Sequence, residues 1–203
     1  DATNVTISDL VFRNQTGNGL NIDDGGSFAS PATGITLRNI TVRDIATAGN
    51  HDGIKLSGVN GFLIEGVQVL NWGTGGSAVD MVGCHHGLIQ NSLFAHTNTA
   101  HAGTTLQPKG GSKHITFRAN RIELPSDGGR AVQAGGSTGT PFFRFIDGDS
   151  GYEADEVVAG PAARSPPERP RAERRTGGYA AATSVNTVAT AETPKTRPAI
   201  DRS

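Results

Sequence analysis

"ITLRNITVRD", residues 35–44, holds two alternating runs, Ile35 to Leu37 and Ile40 to Val42, hinged on the polar pair Arg38 and Asn39. Alternation at period two sends successive side chains to opposite faces of a strand. Each run therefore reads as a short strand with one apolar side, and the polar pair reads as a tight bend between them. Neither strand can cover its own apolar side. The stretch needs copies of itself, and the chain supplies four.

They are "VTISDLVFRN" from Val5, "FLIEGVQVLN" from Phe62, "GLIQNSLFAH" from Gly87 and "ITFRANRIEL" from Ile115. With Ile35 included, the starts lie 30, 27, 25 and 28 residues apart and the segments align without gaps. The third position reads Ile7, Leu37, Ile64, Ile89, Phe117 and the eighth reads Phe12, Val42, Val69, Phe94, Ile122, so both columns are expected to face inward. A later run follows each segment: "GLNI" from Gly19, "GIKL" from Gly53, "AVDM" from Ala78, "TTLQ" from Thr104 and "AVQA" from Ala131. Three short strands per repeat, stacked on the next repeat, give three parallel sheets around an aliphatic interior. Helical solenoids would need runs of ten or more residues at 3.6 periodicity, and the frequent Gly, Asn and Thr argue against them. The expected fold is an all-β right-handed parallel β-helix of five to six coils over residues 1–159, as a part of a longer solenoid.

Composition agrees with that. Of 203 residues 35% are hydrophobic, only 5% aromatic, and 28 are glycine, which predicts an aliphatic core on a turn-rich backbone. No apolar run approaches the roughly 20 residues of a membrane helix, and no charged and apolar leader opens the chain. Cys84 is the single cysteine, which excludes an internal disulfide and a multi-cysteine zinc site. A net charge of -1 gives no reason to expect nucleic acid. Residues 160–203 hold six of the ten prolines and eight of the 18 lysines and arginines against four of the 19 acids. Without apolar periodicity this tail is expected to be disordered. A frameshift near Ala159 is a second reading of the same break, because "YEADEVVA" looks like the start of another coil.

The phrasing "GI.L", "I..N..F" and "IT.R.N.I" over residues 1–159 resembles the pectin-lyase-like superfamily of parallel β-helices. That resemblance implies an extracellular or periplasmic protein whose partner is a polysaccharide lying along one outer sheet. "PKGGSKHITFRANRI", from Pro108, is further similar to the lysine-glycine segment of polysaccharide lyase family six, the alginate and dermatan-sulfate lyases. The resemblance implies Lys109 as base, with Arg130 standing in for the charge-stabilising arginine of the next coil. Calcium goes with that family, but "HAGTT", residues 101–105, stands where its acidic ligands would be, so no cofactor is expected. Whether the chain is an enzyme stays open at this point. A lyase acting on uronate-containing chains by β-elimination, a non-catalytic glycan-binding or adhesive solenoid, and an inactive fragment all fit the residues.

Outward positions of the later runs offer Asn21, Lys55, Asp80, Thr105 and Gln133 as a polar ladder. Together with Gln107 beside Lys109, this gives Lys55, Asp80, Gln107 and Gln133 as expected substrate contacts. Lys109 itself is expected to point outward at the end of a strand, with no acid adjacent to it in sequence. His51, Asp52, Cys84, His85, His86, His96 and His101 lack zinc-motif spacing, and Cys84 reads as an interior residue. Asp23 and Asp24 are adjacent and read as a turn rather than as an acid and base pair. "GGSTGTPFF", from Gly135, lacks the ending of a phosphate loop. No amphipathic cap is visible at the start of the chain, and self-association through uncapped coil ends is expected.

Overall fold

A computed structural model describes residues 2–27, 29–46, 48–97, 103–125 and 128–160, and the proposed tail beyond Gly160 lies outside the described residues. Sixteen strands among them, numbered in chain order, form three sheets. Sheet A contains β1 (Thr6–Ser8), β4 (Ala32–Arg38), β7 (Val59–Glu65), β10 (His85–Gln90), β13 (Ser112–Arg118) and β16 (Ala154–Gly160). Sheet B contains β2 (Val11–Arg13), β5 (Thr41–Arg43), β8 (Gln68–Leu70), β11 (Leu93–Ala95) and β14 (Arg121–Glu123). Sheet C contains β3 (Leu20–Asp23), β6 (Ile54–Ser57), β9 (Ser77–Val82), β12 (Thr104–Lys109) and β15 (Arg130–Val132).

All pairings are parallel, and every strand pairs with its counterpart one coil away. Ile7, Leu37, Ile64, Ile89 and Phe117 stand in register in sheet A. Phe12, Val42, Val69, Phe94 and Ile122 do so in sheet B. Both columns run through one continuous core, closed at the middle coils by fully buried Leu37, Ile64, Val69, Ile89 and Phe94. The parallel β-helix read from the repeat is the fold of the chain.

The polar pair works as a bend for a definable reason. Position five of each segment, namely Asp9, Asn39, Gly66, Asn91 and Ala119, adopts φ of 57°, 52°, 62°, 51° and 55°. Asn, Asp and Gly are the residues that visit this left-handed region most readily, so a single residue turns the chain from sheet A into sheet B. The bend keeps its ladder bond: the N–H groups of Asp9, Asn39, Gly66 and Asn91 each donate to a carbonyl of the next coil, at 3.1–3.2 Å.

One step breaks the repeat length. Ile115 pairs with Val157, 42 residues on, where earlier steps take 25–30. The extra length lies between β15 and β16. Its only regular element is a single 3-10 turn at Thr140–Phe142, and it folds back over the outer corner of earlier coils. We call residues 136–153 the strap.

Candidate functional site

Sheet C carries the residues that the sequence marks for contact. Its register aligns Asn21, Lys55, Asp80, Gln107 and, one coil on, Gln133 in one outward column. Gln107, and not Thr105, is the fourth member. Thr105 stands one step along from Ala78 and is fully buried, so its place in the ladder is corrected. The two threonines in "TTLQ" look like an ordinary alternation, and only the pairing with β9 separates them.

The column is cross-tied by its own side chains. Ser77 Oγ donates to Gln107 Oε1 at 3.2 Å, Gln107 Nε2 donates to the Gly135 carbonyl at 3.2 Å, and Thr104 Oγ1 donates to Gln133 Oε1 at 3.1 Å. At its centre is a row of alternating charge. Lys55 Nζ bonds Asp80 Oδ2 and lies 3.6 Å from Asp52 Oδ2, while Lys109 Nζ lies 3.0 Å from Asp80 Oδ1. Asp80 is only 3% exposed in its side chain, whereas Lys55 and Lys109 keep 27% and 20%. One carboxylate therefore serves two ammonium groups that solvent still reaches. Lys109 has no acid adjacent to it in sequence, and its acid comes instead from the neighbouring coil.

Asp52 completes the row from two residues before β6. Its Oδ1 accepts the Ser77 N–H at 2.8 Å, and its own N–H donates to Asn18 Oδ1 at 2.8 Å. Burial, with the Asp80 charge second, pushes its carboxyl up to about 6 against the pull of Lys55. Burial draws the Lys55 ammonium down, but Asp80 and Asp52 outweigh it, and the net direction is up.

Arg130 is placed apart from Lys109. It opens β15 opposite Thr104, whereas Lys109 ends β12 opposite Val82. Five residues of strand separate the two levels, about 16 Å at about 3.3 Å per residue. The structure brings Lys55, Asp80, Gln107 and Lys109 together and leaves Arg130 at the other end of the sheet.

Lys109 leads into the corner between sheets C and A, where the strap enters. Gly110 N–H donates to Glu153 Oε2 at 2.8 Å, and Thr138 donates to the same carboxylate through its N–H and its hydroxyl. Burial alone would raise Glu153, but these donors lower it. Arg144 N–H donates to the Gly110 carbonyl at 3.0 Å, and its Nε reaches Asp24 Oδ2 in the first coil at 2.5 Å. Between those ends its side chain crosses Gly83 and Gly58. A Cβ on Gly83 would lie 2.7 Å from Arg144 Cβ, and one on Gly58 would lie 2.6 Å from Arg144 Nε. Asp24, 1% exposed, is half of a clamp that spans the coils. Its neighbour Asp23 only closes the turn, accepting the Gly25 N–H at 2.7 Å.

The remaining candidates have structural partners. Cys84 is buried, and burial pushes its thiol up to about 12. His85 Nε2 lies 3.0 Å from the Gly111 carbonyl, His86 stacks on His114 at 4.8 Å, and His96 Nε2 lies 2.7 Å from the Trp72 carbonyl. His101 lies outside the described residues. No group of three or more His, Cys, Asp or Glu among the described residues is placed to hold a metal ion, and Gly103, Thr104 and Thr105 offer no carboxylate for calcium. No helix among them is long and apolar enough to cross a membrane. The sequence signal for the strap was the 42-residue step. Lys109 stands opposite Val82, two residues along from Asp80, and Asp52 lies three residues before Lys55, so both reach the row diagonally and coil spacing alone does not single them out.

No family model matches the chain, and no curated protein matches it. Among solved structures, the Streptococcus pneumoniae surface protein and adhesin PfbA superposes with a TM-score of 0.50 at 10% identity, over 79% of this chain and 48% of its own. The chain thus spans about half the length of that structure. At this identity the likeness bears on the fold alone, and on the fold it agrees with the strand register: a parallel β-helix.

Proposed function

We propose that the chain is a glycan-binding or adhesive solenoid whose outer sheet C holds an extracellular polysaccharide along the coils without turning it over. The single observation that carries this reading is the in-register column Asn21, Lys55, Asp80, Gln107 and Gln133. Amide and ammonium groups repeated at a strand spacing of about 4.8 Å can hydrogen-bond the hydroxyls of a chain laid across them. The extracellular or periplasmic setting implied by the pectin-lyase-like resemblance belongs to the same proposal.

A lyase has less support. Lys109 is one half of an ion pair with Asp80, and Arg130, its partner under the family-six resemblance, sits at the far end of the strand. General acid and base must both stand within hydrogen-bond reach of one substrate position, which this separation does not provide. Among the described residues no carboxylate set fits calcium, and the binding proposed here is expected to be indifferent to a chelator.

Titration with a panel of soluble polysaccharides, read by calorimetry and by the ultraviolet absorbance of unsaturated uronates, tests the reading. Binding that weakens several-fold in Gln107→Ala and Lys55→Ala, with flat absorbance, is the expected result. A rise in absorbance that Lys109→Ala abolishes would establish the lyase instead.

A further inference from the structure

The four charged groups of sheet C are not equivalent. Asp80 is buried between two lysines and in contact with both. Asp52 forms its one ion pair among the described residues with Lys55, at 3.6 Å, and sits with 6% of its side chain exposed at the edge of the row. Among the described residues the charged and titratable groups around it are His51 beside it in the chain, Lys55 on β6, Asp80 on β9 and Lys109 on β12, and the first coil contributes the Asn18 amide oxygen. With Asp52 ionised the row is balanced, two cations against two anions.

We infer that this row is an acid-opened anion site: with Asp52 neutral, Lys55 and Lys109 share one carboxylate and take a carboxylate or sulfate of the bound chain as the second. The inference rests on the reading of sheet C as the binding face. It adds the charge of the ligand and the condition under which it is held. Burial and the Asp80 charge put the Asp52 carboxyl at about 6, so the site opens over mildly acidic conditions. The exposed fractions of Lys55 and Lys109 leave both ammonium groups within reach of a ligand. Burying an additional carboxylate beside ionised Asp52 would set like charges together, which disfavours anions near neutrality.

The test uses dextran, carboxymethyl dextran and dextran sulfate of equal length, the last two distinguishing carboxylate from sulfate. Affinity for an anionic dextran is expected to rise about tenfold between about pH 7.5 and pH 5, with neutral dextran unchanged. Lys55→Gln should remove the rise, and Asp52→Asn should bind at the higher pH as the wild type binds at the lower. If Asp52→Asn does not fold, the wild-type profile and Lys55→Gln decide. Binding that is equal at both pH values yet lost in Lys55→Gln overturns the acid opening and leaves the binding face standing. Binding untouched by Lys55→Gln and Gln107→Ala, or no binding of any of the three, overturns the binding face and the inference with it.

Discussion

The bend between sheets A and B and the corner between sheets C and A turn the chain through the same kind of left-handed residue, yet they are completed in different ways. The A–B bend uses Asp9, Asn39, Gly66, Asn91 and Ala119, a mixture that includes an alanine. The first four are completed by the carbonyl of the next coil. The C–A corner uses Gly58, Gly83 and Gly110, at φ 64°, 59° and 63°. There, glycine is required by something outside the repeat, because the Arg144 side chain lies on Gly83 and Gly58. One corner is written in every coil; the other is finished by a strap that enters late in the sequence and runs back to the first coil.

The largest effect should come from cutting that strap. Arg144→Ala leaves the carboxylate of Asp24 buried without its guanidinium, a loss of about 3–5 kcal/mol by the usual cost of an uncompensated buried charge. Arg38→Ala breaks an ion pair of similar geometry to Glu65, 3.0 Å, on the open face of sheet A, and should cost about 0–1 kcal/mol. Urea midpoints of the two variants measure the contrast. Equal losses would mean that the strap is not fastened by this pair.

Next comes a pH effect confined to sheet C. The Asp52 carboxyl, raised to about 6 in the folded chain from 3.8, keeps its proton where the unfolded chain has lost it. Stability contributed by this group is therefore present in acid, falls as pH rises between about 4 and 6, and stays lower at neutrality, by up to about 3 kcal/mol. Asp52→Asn should flatten that part of the profile. An unchanged slope in denaturant titrations at pH values spanning this window would remove Asp52 as its source.

The same contrast explains what could be read from the residues. Columns such as Ile7 to Phe117 and Phe12 to Ile122 were legible because each member repeats its neighbour's chemistry at the coil spacing, and burial follows from alternation alone. The partnership of Lys109 with Asp80 was not, because it depends on register between runs of unequal loop length, and a two-residue offset put Thr105 where Gln107 stands. Asp24 with Arg144 was out of reach for another reason. The two are 120 residues apart and neither belongs to a repeated column, so no periodicity links them. Arg130 entered only through the family-six resemblance, as a stand-in from the next coil, and its level along the strand sets it apart from Lys109.

The smallest effects sharpen the two corners directly. Gly83→Ala places a methyl group in a left-handed residue, about 1–2 kcal/mol, and adds the 2.7 Å approach to Arg144 Cβ, so its cost should exceed that range. Replacing Arg144 by glycine as well removes the approach but not the left-handed strain, and the double-mutant cycle should return the difference as a coupling. Asn91→Ala makes the corresponding change at the other corner, at φ 51°, where the next coil already carries Ala119 at 55°. Among the described residues no hydrogen bond from outside the repeat reaches Asn91, so the loss should be about 1 kcal/mol or less and show no coupling to Arg144. Coupling of Arg144 to Asn91 as large as to Gly83 would mean that the strap acts on the whole solenoid rather than on one corner of it.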